Sequence, residues 1–184
     1  GKRIAEVFVR EGAKVAINDI DKAPCDETKN ELGANAISCP ADVANEEQVK
    51  KMVEDTIAAF GKIDILVNCA GLTRDALIHK MSDAHMDLIV DVNLKGTHVC
   101  AKAVLDKWLA DGGKERDEFK KIVNFASTTG VSGNLGQANY GIAKGGVIGY
   151  TKALARELSL ERICVNTVAP GFVETRMTQE KKPG

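Results

Sequence analysis

The sequence predicts an α/β chain built on a doubly wound parallel sheet, and three observations predict it. Short β-prone apolar runs alternate five times with helical stretches. Two of the runs, 63–68 (IDILVN) and 122–127 (IVNFAS), are nearly continuously apolar, as strands buried on both faces are. Small, polar and acidic residues follow directly after the strands, where such sheets bind ligands.

The elements follow in order. Ile4, Ala5, Val7 and Phe8 share a helical face, which Gly12 closes. KVAIN (14–18) is the first strand and ends at Asp19; a polar helical stretch leads to Gly33, and NAISC (35–39) is the second. Asn45 and Gln48 stand at capping-box spacing before Val49, Met52, Val53, Thr56, Ile57 and Phe60, with Gly61 as the stop. After the third strand, 63–68, Ser82 caps a long helical region that runs to about Leu109. The charged segment 111–120 is a surface loop, 122–127 is the fourth strand, and a helix spans about 139–160. ICVNTV (163–168) is the last strand, broken by Pro170 and Gly171. No linker or repeat divides the 184 residues, so they form a single domain.

Composition excludes several functions. Twenty-five basic and 26 acidic side chains give a net charge of -1, which argues against nucleic-acid binding through phosphate neutralisation and against a polybasic membrane surface. The apolar content of 44 % suits a globular core, and no apolar run reaches a membrane span. Five scattered cysteines (Cys25, Cys39, Cys69, Cys100, Cys164) read as reduced, buried thiols of a cytoplasmic protein. His79, His85 and His98 share no ligand spacing, so no metal site is expected. Trp108, near a helix end, is assigned to packing.

The candidate site is read from the strand ends. Asp19 is placed to accept both hydroxyls of an adenosine ribose and to repel a 2′-phosphate; alone, it reads more often as a solvated loop acid. Asp42-Val43 follows the second strand, where a carboxylate faces an adenine amino group, although Asp is also a common turn residue. Asn68-Cys69-Ala70-Gly71 follows the third: its small residues let backbone approach a ligand, and the Asn ties strands together. The strongest constellation is Ser127 at the end of a buried strand, with Tyr140 and Lys144 spaced i, i+4 on a helix. A cation close to a phenol favours the phenolate, so the pair suits proton exchange with a carbonyl or alcohol oxygen that Ser127 orients. A bare Tyr-x-x-x-Lys is more often an amphipathic helix face; its company gives it weight.

Asn68 to Gly71, Asn93, Ser127, Tyr140, Lys144 and Pro170-Gly171 occur in the order of the short-chain dehydrogenase/reductase family, which the whole chain resembles. GQANYGIAKGGVIGYTKALARE and NTVAPGFVETRMT are most similar to 3-oxoacyl-[acyl-carrier-protein] reductases and to 3-hydroxyacyl and hydroxysteroid dehydrogenases. The resemblance implies a Rossmann-type, NAD(P)-binding fold and an oxidoreductase. It implies that Tyr140 is the acid/base, that Lys144 lowers its pKa and binds the nicotinamide ribose, and that Ser127 positions the substrate oxygen. It further implies that Asn93 supports a water relay from a break in its helix, and that Val173 and Thr175 reach the carboxamide and phosphates. Gly1 matches the last glycine of the family's glycine-rich loop. The family's first strand and its part beyond Thr178 therefore lie outside this sequence, which is expected to be an incomplete, by itself inactive and poorly soluble domain.

Two further expectations follow. In the order 3-2-1-4-5-6 the absent strand is central, so 14–18 and 63–67 should flank a gap and not pair. The helices around 83–109 and 139–160, with Gly145, Gly146, Gly149 and Ala153, form the subunit interface in the family, which implies a homodimer or homotetramer. The functional expectation is hydride transfer between NAD(P), with NAD favoured by Asp19, and a small-molecule or carrier-bound 3-oxoacyl/3-hydroxyacyl thioester. Alternatives are another alcohol, sugar or steroid dehydrogenase, or a non-catalytic nucleotide-binding scaffold, against which the intact Ser127, Tyr140 and Lys144 stand.

Overall fold

The computed structural model describes residues 1–112 and 117–173. Helix α1 (Lys2–Arg10) precedes β1 (Val15–Ile17), α2 (Lys22–Leu32) and β2 (Ala36–Ser38). Then come α3 (Glu46–Phe60), β3 (Ile65–Asn68), α4 (Asp83–Val90), α5 (Gly96–Ala110) and β4 (Lys120–Phe125). The short α6 (Thr129–Ser132), α7 (Ala138–Glu157) and β5 (Ile163–Val168) complete the order. All five strands lie where the apolar runs predict, with narrower bounds for the first three. The fourth starts earlier, at Lys120, and ends before Ser127, leaving that side chain on the loop beyond the strand.

Every strand pairing is parallel. Among the described residues the sheet is in two parts: β1 pairs with β2 from Val15↔Ala36, while β3, β4 and β5 form a three-stranded sheet in that order. No pairing joins β1 to β3, as expected for the gap. Each part is held by its own helices: α1 and α2 contact the first, and α5 and α7 the second.

Caps account for the helix ends. Asn45 Oδ1 accepts from the Gln48 amide at 3.1 Å, and Gly61, at φ 82, closes α3 in the left-handed region. The predicted capping box is altered on its return arm, because Gln48 Oε1 accepts from the Asp42 amide at 2.8 Å. Ser82 caps α4 as predicted. The long helical region it opens is not one helix: a π-helical turn, Asp91–Lys95, separates α4 from α5. A π turn inserts a residue and re-aims the side chains within it, and Asn93 lies at its centre.

The main core lies between the three-stranded sheet and its helices, with Val53, Val104, Trp108, Ile122, Leu154 and Ile163 at its centre. Trp108 is structural as predicted, donating its indole N–H to the Ile63 carbonyl at 2.7 Å. The thiols divide: Cys25, Cys39 and Cys100 are buried, whereas Cys69 is half-buried and Cys164 is exposed on edge strand β5, so the expectation of uniformly buried thiols is corrected. No described helix is long and apolar enough to cross a membrane.

Candidate active site

The site is assembled at the carboxyl ends of β3 and β4. Asn68 and Asn124 are opposite in the strand register, and Asn68 Nδ2 donates to Asn124 Oδ1 at 2.9 Å. Asn124 Nδ2 donates onward to Thr151 Oγ1 on α7 at 2.9 Å. This buried chain fixes the angle of α7 against the sheet, because each amide would otherwise be an unpaired polar group in the core. Asn68 thus ties strands together, as its type suggested.

Tyr140 and Lys144 lie on α7, 8 % and 4 % exposed. Lys144 Nζ stands 5.7 Å from the phenol ring centroid and donates to the Phe125 carbonyl, the last of β4, at 2.7 Å. Ser127 follows two residues later; its Oγ accepts from the Thr129 amide at 3.2 Å and also hydrogen-bonds the Tyr140 phenol. The three predicted side chains therefore converge.

Their electrostatics differ from the expectation. Burial pushes the Tyr140 phenol above its ordinary value, the Ser127 hydrogen bond opposes this, and the Asp75 carboxylate adds to it. Burial pulls Lys144 down to about 8. The lowering of Tyr140 by Lys144 is not what this geometry gives, because desolvation of the phenol dominates and the ammonium is turned to the Phe125 carbonyl.

Asn93, fully buried, donates from Nδ2 to the carbonyls of Leu72 and Ile89, each at 3.0 Å. Its Oδ1 is buried without a protein partner and points at Gly71. A Cβ at position 71 would stand 2.5 Å from that oxygen and 3.5 Å from Lys144 Nζ. Only glycine fits there, and the space it leaves adjoins both a carbonyl acceptor and an ammonium.

The remaining predicted residues frame this centre. Asp19 lies at the end of β1 and accepts from the Asp21 amide at 3.2 Å, and its carbonyl accepts from Ala41, next to Asp42. Asp42 Oδ1 accepts from the Ala44 amide at 2.9 Å, an Asx-type turn after β2. The Val43 side chain is buried against Gly96, where a Cβ would lie 2.6 Å from Cγ2. Its reach to a ligand is therefore through backbone. Gly1 opens α1 with its Cβ position 3.5 Å from Cys69 Sγ, and Ala70 is exposed beside it. Pro170 accepts the Thr128 amide at 3.1 Å, which brings the loop after β5 to the Ser127 end. Gly171 faces open space, so no close approach demands a glycine there, and Val173 is exposed. Thr175 lies outside the described residues.

Sequence reasoning missed three positions. Gly130 packs on α7, where a Cβ would stand 2.6 Å from the Lys144 carbonyl carbon. Asn139 is fully buried and ties α7 to the loop after β3 by donating to the Arg74 carbonyl at 2.9 Å. Gln137 bridges three segments by its side-chain amide. Their immediate proximity to Ser127 and Tyr140 in the chain was the available signal.

A tyrosine and a buried lysine with a serine at a strand end, beside a glycine that opens space for a ligand, form the proton-handling half of a hydride-transfer site. The family model for short chain dehydrogenases matches residues 1–184. The chain belongs to that family. It is an NAD(P)-dependent oxidoreductase of the family's Rossmann-type fold. It is 40 % identical over 183 residues to a 3-oxoacyl-[acyl-carrier-protein] reductase of Synechocystis, covering 97 % of this chain and 72 % of that protein. It is 43 % identical over 183 residues to the (2S)-[(R)-hydroxy(phenyl)methyl]succinyl-CoA dehydrogenase subunit BbsD of Thauera aromatica, covering 98 % of this chain and 71 % of that one. Among solved structures, the 3-ketoacyl-(acyl-carrier-protein) reductase of Brucella melitensis complexed with NADH superposes with a TM-score of 0.92 at 32 % identity, over 97 % of this chain and 74 % of that one.

The residues fit an NAD(P) cofactor, on the observation that Gly71 and the unpartnered Asn93 Oδ1 leave a polar cradle beside Lys144.

Proposed function

We propose that this site interconverts a 3-oxoacyl thioester and its 3-hydroxy form, with a preference for NAD(H). The convergence of Ser127, Tyr140 and Lys144 at the end of β4 carries the reading. When bound, the nicotinamide supplies or accepts a hydride at the substrate carbon. Gly1, Asp19, Asp42, Val43, Asn68, Ala70, Gly71, Lys144, Pro170, Gly171, Val173 and Thr175 would hold the cofactor. Asp19 favours NAD(H), because a carboxylate accepts ribose hydroxyls and repels a 2′-phosphate.

In the reduction, Ser127 donates a hydrogen bond to the substrate carbonyl oxygen and Tyr140 gives it a proton. A phenol held above its ordinary pKa stays protonated at neutral pH, as a general acid must. Lys144 keeps positive charge near the oxygen as the phenol loses its proton. Asn93 holds a water with its open Oδ1, linking Lys144 to solvent.

The names of the relatives support a thioester substrate, and the BbsD subunit at 43 % identity supports coenzyme A as a second carrier. We further place the protein in the cytoplasm as a homodimer or homotetramer formed through α5 and α7, whose outer face carries the exposed Ile142 and the open Gly149. The test is an assay of the protein's full chain on acetoacetyl thioesters of acyl carrier protein and of coenzyme A, each with NADH and NADPH. Reduction of either thioester supports the reading; activity confined to sugars, steroids or simple alcohols contradicts it.

A further inference from the structure

We infer that Gln137 and Asp75 form a positioning pair that sets the acid/base tyrosine against the serine. This inference rests on the roles given above to Ser127 and Tyr140. Gln137 lies three residues before Tyr140, at the start of α7, and is 9 % exposed. Its side-chain amide is fully engaged. Oε1 accepts from Thr129 Oγ1 at 3.1 Å and from Asn134 Nδ2 at 3.0 Å, while Nε2 donates to both oxygens of Asp75 at 3.2 and 3.1 Å.

These partners sit on three segments. Thr129 begins α6 and donates its amide to Ser127 Oγ, so it holds the serine. Asn134 belongs to the turn before α7, and Asp75 to the loop after β3. That loop is stitched to α7 by two further bonds: the Ala76 amide to the Gly136 carbonyl at 2.9 Å, and Asn139 to the Arg74 carbonyl at 2.9 Å. One amide therefore joins the segment that orients Ser127 to the loop that borders the phenol. A planar amide with one acceptor and one donor end suits this task, since the hydroxyl and amide meet the oxygen and the carboxylate meets the nitrogen.

Asp75 has a second effect. Against the phenol stand Ser127, Leu72, Ile89 and Leu94, with Lys144 on its own helix and Asp75 from the loop; Lys144 and Asp75 carry charge. Burial raises the phenol first, Ser127 opposes it, and the Asp75 carboxylate adds to the rise.

The polarity of the pair makes it testable. Gln137→Glu sets two carboxylates against each other and removes the bond. Adding Asp75→Asn restores it with donor and acceptor exchanged, since the new Asn donates to the new Glu while Thr129 and Asn134 keep their acceptor. In the full-length enzyme, Gln137→Glu is expected to lower kcat about tenfold or more, with the KM for the nicotinamide cofactor unchanged, and the double variant to recover most of the loss. Asp75→Asn alone is expected to lower the titration midpoint of the Tyr140 phenol, because the phenol loses a neighbouring anion. Wild-type kcat in Gln137→Glu, or no recovery in a folded double variant, overturns the pairing. If Gln137→Glu does not fold, Gln137→Met keeps the volume without the hydrogen bonds, and an unchanged kcat there overturns it equally. The ring signal of labelled Tyr140, assigned with Tyr140→Phe, gives a readout independent of turnover: its titration midpoint must fall in Asp75→Asn, and an unmoved midpoint overturns the charge effect. An enzyme that reduces no carbonyl substrate fails the functional reading, while the titration still decides the charge effect of Asp75.

Discussion

Lys144 donates to the carbonyl of Phe125 at 2.7 Å, so the last residue of β4 anchors the ammonium two positions ahead of Ser127. The strand end thereby fixes both the cation and the hydroxyl that serve one phenol. Because burial brings Lys144 to about 8, reduction should slow as pH rises past that value and the cation is lost; pH-rate profiles check this. The stability effect has the opposite trend. Between about 8 and its ordinary 10.5 the folded lysine binds fewer protons than the unfolded one, so its contribution to stability rises with pH. Relative to wild type, Lys144→Met should therefore be more favourable in thermal melts at pH 7 than at about pH 9.5.

Two glycines are required by close neighbours, one of them backbone and the other a side chain of the site. At position 130 a Cβ would meet backbone at 2.6–2.8 Å, which cannot move cheaply, so Gly130→Ala should cost about 1–3 kcal/mol in denaturant titrations. At position 71 the obstacle is the fully buried Asn93 side chain, pinned by two hydrogen bonds, so Gly71→Ala should also destabilise by about 1–3 kcal/mol and lower turnover about tenfold or more.

The Asn68–Asn124–Thr151 chain is entirely buried. Asn124→Ala leaves Asn68 Nδ2 only its long 3.4 Å bond to the Thr97 carbonyl and removes the donor to Thr151, and the cost should be about 1–3 kcal/mol in equilibrium unfolding. A loss under about 0.5 kcal/mol would show that water replaces the missing partner.

Cofactor choice is tested at Asp19. NAD(H) should be preferred over NADP(H), and Asp19→Ala should narrow the ratio of kcat/KM values by relieving repulsion of the 2′-phosphate. A wild-type enzyme that strongly favours NADPH contradicts the assignment.

Much of this was legible because strands buried on both faces leave apolar runs that few other elements produce. The run 163–168 matches β5 residue for residue. The break at Asn93 was legible only by family resemblance, since a π turn leaves no trace in hydrophobic periodicity. Gln137 and Asn139 were hidden for another reason. Their roles lie in side-chain bonds to loops some 50 to 65 residues away in the chain, and local pattern carries no record of such partners. The direction of the Tyr140 shift was misjudged because i, i+4 spacing shows that a cation is near, yet not how deeply the phenol is buried.

The account stands on Tyr140 as the proton donor and acceptor, and the most direct measurement is single-turnover reduction by the full-length Tyr140→Phe enzyme. Its turnover should fall by roughly two to four orders of magnitude, while titration of nicotinamide fluorescence shows cofactor affinity within a few-fold of wild type. Near-wild-type turnover in that variant would contradict the mechanism.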